Sequence, residues 1–92
     1  MDKQLIYNAV DSKAAQLTSL SDAIWEYAEL SMEEYRSAES YIQILKQEGF
    51  AVEEKLCGIP TAFLGRFGSG KPVIGILGEY DALSGLSQVP CS

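Results

Sequence analysis

The chain has 92 residues, of which 47% are hydrophobic and 22% are charged, a composition typical of one small globular domain rather than of a disordered or membrane chain. The 13 acidic and 7 basic residues give a net charge of −6, which argues against nucleic acid or an anionic membrane as partner, because both bind basic surfaces. Histidine is absent, which excludes histidine-activated nucleophiles and removes the commonest general base and zinc ligand.

The N-terminal residues and the cysteines favour a cytoplasmic protein. Residues 1–4 lack the basic and apolar regions of a signal peptide, and the apolar run 73–77 is too short to span a bilayer. Cys57 and Cys91 form no CxxC pair and have no histidine near them, so neither a zinc site nor a disulfide scaffold is indicated. We therefore expect reduced thiols and a cytoplasmic location.

The first predicted element is a long amphipathic helix over residues 5–30. Its apolar residues recur every three or four positions, and Lys13 interrupts the stripe at one place. Trp25, Tyr27 and Ala28 widen the stripe near its end, while the opposite side is polar and suits water. We expect burial of the stripe, which consists of Ile6, Val10, Leu17, Leu20 and Ile24.

A second helix is predicted over residues 32–48. Ser31 is followed three positions later by Glu34, the capping-box spacing that satisfies the free amides of a helix start. A glycine followed by an apolar residue is typical of a helix that ends in a left-handed residue. Here the two residues are Gly49 and Phe50, and Phe50 is expected to contact Leu45 in the last turn of the helix. The predicted buried face of this helix contains Tyr35, Ala38, Ile42 and Leu45.

Three short strands are predicted after the helices, over residues 51–57, 61–67 and 73–79. The glycine-rich residues 68–72 predict a turn between the second and third strands. Since residues 73–77 lack polar alternation, the third strand is expected to be central and covered on both faces. The fold class is therefore α/β or α+β, with two helices on a small sheet of about three strands. We interpret residues 1–92 as a single partial domain ending in a loop over 84–92.

Residues 65–71, Gly-Arg-Phe-Gly-Ser-Gly-Lys, match the glycine and lysine spacing of a phosphate-binding loop. Pro72 stands where such a loop needs a Ser or Thr to hold magnesium, and a strand is predicted where the loop needs a helix. The pattern favours a glycine turn in a hairpin over a nucleotide site.

Glu79 and Asp81 are the candidate functional residues because they follow the apolar third strand. Ligands of open α/β sheets bind at the carboxyl ends of strands, and alternate residues of a strand share a face. Two such carboxylates can hold a hard cation, orient a histidine supplied from elsewhere or raise each other's pKa. A solvated strand edge or a helix cap explains the same two acids, and the local pattern leaves these alternatives open.

Five blocks of the chain carry a recognisable pattern of order and spacing: residues 25–30, 33–38, 45–50, 58–63 and 68–88. A single block such as Gly-x-Pro-Thr-Ala-Phe is a weak signal, whereas five in register are specific. Together they resemble the start of the aminobenzoyl-glutamate utilization protein B branch of the zinc aminoacylase and carboxypeptidase family, and the resemblance covers roughly residues 20–90.

The resemblance implies a partial catalytic domain of the zinc aminopeptidase-like phosphorylase/hydrolase fold. It implies that Asp81 supports a metal ligand or the catalytic assembly, and that Glu79 occupies a position that is a metal-binding histidine in some relatives and an acid in this branch. Zinc or another divalent metal is implied for full-length members, whose remaining ligands are expected beyond Ser92. Ser84 stands where the family has proline, and Cys91 lacks the flanking histidines of the family's metal-binding cysteine.

Two functional hypotheses follow. The first is an amino-terminal fragment of an amidohydrolase or metallopeptidase that cleaves an N-acyl or peptide bond to an amino acid, inactive and without bound metal as the isolated chain. Its substrate in full-length relatives would be a small N-acyl amino acid or peptide. The alternative is a non-enzymatic fragment or interaction module that forms a homo-oligomer, because the apolar residues 73–77 have few elements to cover them.

Overall fold

The structure, a computed structural model, describes residues 2–85. Helix α1 spans Lys3–Tyr27 and helix α2 spans Tyr35–Gln47. Strand β1 at Ala51–Glu54 and strand β2 at Phe63–Arg66 form an antiparallel pair, in which Ala51 lies opposite Arg66 and Glu54 opposite Phe63. The architecture is a small α+β unit of two helices packed on a two-stranded sheet, which confirms the predicted fold class.

The end of α2 follows the predicted pattern. Gly49 has a φ of 89°, its N–H donates to Lys46 O at 3.1 Å, and the N–H of Phe50 donates to Leu45 O at 2.9 Å. These two bonds satisfy carbonyls that the helix leaves free, and only glycine adopts this φ without strain. The chain thereby turns directly into β1.

The sheet packs against α2 through a close approach at Gly65. A Cβ built on Gly65 would lie 3.1 Å from Leu45 Cδ1 and 3.5 Å from Phe50 Cδ2. The absence of a side chain on β2 therefore allows the helix end to contact the strand. The buried hydrophobic residues of the described chain are Leu20 on α1 and Ala38 and Ile42 on α2.

The apolar stripe of α1 is buried only in its C-terminal part, so the prediction of a continuous buried stripe is wrong. Leu20 is buried, but Ile6, Val10 and Leu17 are 45%, 57% and 51% exposed. The reason is geometric: α2 is about half the length of α1 and covers only one end of it. Lys13, which interrupts the stripe, forms an ion pair with Glu48 at the end of α2.

The predicted third strand over residues 73–79 is not formed in the described part of the chain. The paired strands are the first and second, which are joined by residues 55–62, so the predicted turn at 68–72 does not close a hairpin. A strand requires a neighbour to complete its hydrogen bonds, and no described element lies beside this segment. The predicted loop over 84–92 falls outside the described residues beyond position 85.

Helix α2 begins at Tyr35 instead of residue 32, and the predicted cap at Ser31 is wrong. Glu34 is the N-cap residue, and its side chain makes no capping hydrogen bond. Ser31 lies instead in a turn with Met32, whose φ is 70°. The described helices include none that is long and apolar enough to cross a membrane.

Candidate functional site

The candidate site is organised around the side chain of Tyr80, which points into the domain. Its hydroxyl donates a hydrogen bond to the carbonyl oxygen of the buried Thr61. Its ring lies 6.0 Å from the ring of Phe63 and 6.3 Å from that of Tyr41, at tilted angles that favour aromatic contact. Tyr80 is thereby held against the loop before β2 and the face of α2.

A second contact holds the chain two residues later. The N–H of Ala82 donates to the carbonyl oxygen of Glu29 at 2.8 Å, and Ala82 forms a parallel bridge with Leu30. We call the pair of hydrogen bonds, Tyr80 to Thr61 and Ala82 to Glu29, the Tyr80–Ala82 clamp. The clamp fixes the backbone on both sides of Asp81 although no regular strand is present there.

The two predicted site residues, Glu79 and Asp81, lie on either side of Tyr80 and are both exposed. An inward Tyr80 between two outward carboxylates is the alternation expected of extended backbone. The structure thus leaves both Glu79 and Asp81 accessible to solvent beside the clamp. Their role in a site stays a prediction.

Three or more candidate ligands in one group would be needed to hold a metal, and residues 2–85 contain no such group of His, Cys, Asp or Glu. Zinc sites use four ligands, or three protein ligands and a water. The carboxylates of Glu79 and Asp81 therefore do not by themselves fit the resident metal that the family resemblance implies. They can supply one or two oxygens to a site completed from elsewhere.

Glu29, which the sequence reading missed, connects this region to α2. Its Oε1 accepts a hydrogen bond from the Ser37 N–H at 2.8 Å, and its Oε2 accepts one from the Arg36 N–H at 3.0 Å. The Arg36 Nε lies 3.5 Å from Glu29 Oε2. The guanidinium carbon of Arg36 lies over the ring of Tyr27, 4.6 Å from the centre of that ring. The side chain of Glu29 thus caps α2 while its own carbonyl holds Ala82. In the sequence, the capping role of Glu29 is indicated only by the presence of an acid a few residues before the start of a helix.

The electrostatics of the site follow from this packing. Burial alone raises the pKa of Glu29, but the hydrogen bonds from Ser37 and Arg36 and the charge of Arg36 outweigh it and hold the pKa below its ordinary value. Burial, helped by the negative charges of Glu34 and Glu29, raises the pKa of Tyr80. Tyr80 is therefore a neutral hydroxyl donor at neutral pH.

Two further polar residues, Ser37 and Cys57, were also located in the structure. The hydroxyl of Ser37 is fully buried and has no hydrogen-bond partner within the described residues, while its N–H is bound to Glu29. Cys57, at a strand end before a turn, was most simply expected to be a small packed residue, but it is an exposed free cysteine with a φ of 54°. Cys91 lies outside the described residues.

Comparison with known proteins identifies an informative relative. No family model matches the chain, and no solved structure matches it. The chain is similar to a p-aminobenzoyl-glutamate hydrolase subunit from Escherichia coli (strain K12), with 45% identity over 85 residues, or 92% of this chain. It spans only 18% of the length of that relative. Because nearly the whole chain is aligned, the similarity is not limited to the residues around Asp81.

Proposed function

We propose, since the chain belongs to the aminobenzoyl-glutamate utilization protein B branch of the amidohydrolases, that it forms part of the catalytic domain of a metal-dependent amidohydrolase. The proposed reaction is hydrolysis of an N-acyl or peptide bond to an amino acid. Zinc is the metal and the cytoplasm is the location in this proposal. Because the chain spans 18% of the length of its relative, the activity is proposed for a protein that contains the remaining parts.

The observation that supports this function best is the position of Asp81 inside the Tyr80–Ala82 clamp. Its backbone is fixed on both sides, and its carboxylate is exposed. A residue that supports a metal ligand needs this combination, because small displacements of a catalytic assembly lower its rate strongly. We assign Asp81 the role of a positioning residue and Glu79 that of a neighbouring candidate ligand.

A metal in such a site would polarise the substrate carbonyl and lower the pKa of a bound water. The described residues do not form that site alone, so they are assigned no step of the hydrolysis. Their proposed contribution is to present one fixed carboxylate, and a second beside it, to ligands from the rest of the protein. We propose accordingly that the isolated 92-residue chain hydrolyses no N-acyl amino acid and binds zinc weakly.

A chimera tests the function. Residues of the Escherichia coli relative that align with this chain are replaced by the chain itself, and kcat/KM is measured for p-aminobenzoyl-glutamate, the compound in that protein's name. The chimera is expected to be active. Asp81→Asn in the chimera is expected to lower kcat by about 10–100-fold with little change in KM, which is the usual loss for a residue that orients a metal ligand.

Asp22→Asn is the matched control, since Asp22 is an exposed carboxylate on α1 that takes part in neither bond of the clamp. It is expected to leave kcat unchanged. Circular dichroism and bound zinc are measured on each chimera, so that misfolding is separated from lost chemistry. A folded chimera that holds zinc but is inactive would contradict the proposal, as would full activity of the Asp81→Asn chimera.

The isolated chain gives an independent test. Titration calorimetry with zinc is expected to show no tight stoichiometric site. Tight binding of one zinc by the 92-residue chain would overturn the proposal that the metal site needs the rest of the protein.

A further inference from the structure

Glu29 lies two residues after the end of α1 and is fixed by its side chain to the start of α2. Both oxygens of its carboxylate accept hydrogen bonds from amides of the first turn of α2, at 2.8 Å from Ser37 and 3.0 Å from Arg36. Only 12% of the side chain is exposed. A carboxylate that is bound at both oxygens has little freedom to turn, so the backbone of residue 29 is tied to the start of the helix.

The backbone of the same residue holds the segment that carries Asp81. The carbonyl oxygen of Glu29 accepts the N–H of Ala82 at 2.8 Å, and the next residue, Leu30, forms the parallel bridge with Ala82. Among residues 2–85, no regular strand adjoins Asp81 on either side. On the side of Ala82, the position of Asp81 therefore depends on where the Glu29 carbonyl lies.

The turn around Glu29 has an unfavourable backbone conformation. Ala28 has a φ of 46° and Met32 a φ of 70°, both in the left-handed region that favours glycine. Such conformations persist where the surrounding contacts hold them in place. The bonds from the Glu29 carboxylate to α2 are contacts of this kind. Their loss is expected to let the turn relax and to move the carbonyl of residue 29.

We propose that Glu29 is a positioning residue of the hydrolase site. Its carboxylate, bound to the first turn of α2, sets the position of Asp81 through the hydrogen bond between the Glu29 carbonyl and the Ala82 N–H. This role rests on the function proposed above and adds to it a residue that acts on the site through Asp81, without a step of its own in the reaction.

The chimera of this chain with the Escherichia coli relative tests the role through kcat and KM for p-aminobenzoyl-glutamate. Glu29→Gln keeps the backbone carbonyl, but its amide oxygen accepts from only one of the two α2 amides. It is expected to lower kcat by about 3–10-fold and to change KM by less than about twofold, because a displaced Asp81 affects the reaction more than substrate binding.

Gly49→Ala is the control for a loss of stability alone. Residue 49 has a φ of 89° just beyond the other end of α2, so alanine there is strained while the bonds of Glu29 to α2 and to Ala82 remain. Gly49→Ala should leave kcat unchanged. Circular dichroism confirms that each variant is folded at the assay temperature.

A double variant shows whether Glu29 acts through Asp81. In the Asp81→Asn chimera, Glu29→Gln should change kcat by less than about twofold, because the carboxylate that it positions is already absent. A merely structural role of Glu29 would lower kcat by the same factor with and without Asp81.

Hydrogen exchange of the isolated 92-residue chain measures the displacement without metal or activity. The Ala82 amide should exchange at least about threefold faster in Glu29→Gln than in Gly49→Ala, although both variants destabilise the fold. If Glu29→Gln does not fold, Glu29→Asp replaces it in every measurement. Aspartate keeps the charge but is one methylene shorter, so it cannot hold both α2 amides without moving its carbonyl, and the same changes are expected.

The outcomes separate this role from the proposed function. A folded chimera that holds zinc but is inactive overturns the proposed function and, with it, the role of Glu29. An active chimera overturns the role of Glu29 alone if Glu29→Gln leaves kcat unchanged, lowers it no more than Gly49→Ala does, or lowers it equally in the Asp81→Asn background. Equal exchange of the Ala82 amide in the two single variants overturns it as well.

Discussion

The carboxylate of Glu29 accepts a hydrogen bond from the backbone N–H of Ser37 at 2.8 Å, so an acid from the start of the loop between the two helices caps helix α2. The first amides of a helix lack partners within the helix, and an anion there also interacts favourably with the helix dipole. Because the carbonyl of the same residue holds Ala82, Glu29 joins the start of α2 to the segment that carries Asp81.

Glu29→Gln is expected to destabilise the chain by about 1 kcal/mol, because a neutral amide oxygen accepts from only one of the two amides and loses the charge. For a domain of this size that corresponds to a fall of about 5 °C in Tm. Thermal unfolding followed by circular dichroism measures it. Glu26→Gln, an exposed acid on α1, is the control and should leave Tm unchanged. Equal Tm values for both variants would show that the cap contributes nothing.

The same carboxylate predicts a dependence of stability on pH. Burial raises the pKa of Glu29, but the hydrogen bonds from Ser37 and Arg36 and the charge of Arg36 outweigh it, so the pKa lies below its ordinary value of 4.5. The folded state therefore favours the ionised form. The contribution of the Glu29 carboxylate to the free energy of unfolding is present above pH 4.5. It is lost as the pH falls through the lower pKa that Glu29 has in the folded chain.

Urea unfolding between about pH 6 and about pH 3 measures this loss. The wild-type midpoint should fall more steeply with acidification than that of Glu29→Gln, which has no carboxyl to protonate at this position. If the urea midpoints of the two proteins fall equally with pH, groups other than Glu29 are responsible for the sensitivity to acid.

Gly49→Ala is expected to destabilise the chain by about 1 kcal/mol, because alanine is strained at a φ of 89°. A Cβ there would meet Phe67 Cε2 at 3.6 Å, an ordinary contact, so the loss comes from the backbone alone. Gly78→Ala is the control, since no atom lies within 4 Å of its added Cβ and its φ is not positive. The urea midpoint of Gly49→Ala should be lower than that of Gly78→Ala. Equal midpoints would contradict the claim that alanine is strained at position 49.

The features that the sequence predicted correctly depend on nearby residues. Gly49 and Phe50 end α2 through bonds to Lys46 and Leu45, all within one turn, so the local pattern was sufficient. The two helices and two of the strands are also local periodic patterns, although their bounds shifted by a few residues.

The features that the sequence did not predict depend on residues far apart in the chain. The cap of α2 was expected from Ser31 because it has the local spacing, but a left-handed Met32 turns the loop so that Glu29 reaches the helix instead. The apolar residues 73–77 have the pattern of a covered strand, yet a strand forms only beside a partner, and the described elements offer none.

The candidate site combines residues named from the sequence with contacts that only the structure shows. The resemblance identified Asp81 and Glu79, and their outward orientation follows from alternation about Tyr80. The clamp could not be read from the sequence, since it depends on contacts of Tyr80 with Thr61 and of Ala82 with Glu29. Whether the two acids serve a metal centre stays a prediction.

Tyr80→Phe tests the clamp directly, because it keeps the aromatic ring against Phe63 and removes only the hydroxyl that donates to Thr61. One hydrogen bond contributes about 1 kcal/mol, so the Ala82 amide, which is bound to Glu29, should exchange with deuterium about fivefold faster in the variant. Hydrogen exchange measured by NMR gives this rate at a single residue.

Tyr41→Phe is the matched control, since Tyr41 belongs to the same aromatic cluster but its hydroxyl has no hydrogen-bond partner among the described residues. It should leave the exchange of the Ala82 amide unchanged. Because the two bonds of the clamp lie on either side of Asp81, loss of one should loosen the other, and amides in α2 should keep their rates. Unchanged exchange at Ala82 in Tyr80→Phe would mean that the bond to Glu29 holds Asp81 without help from Tyr80.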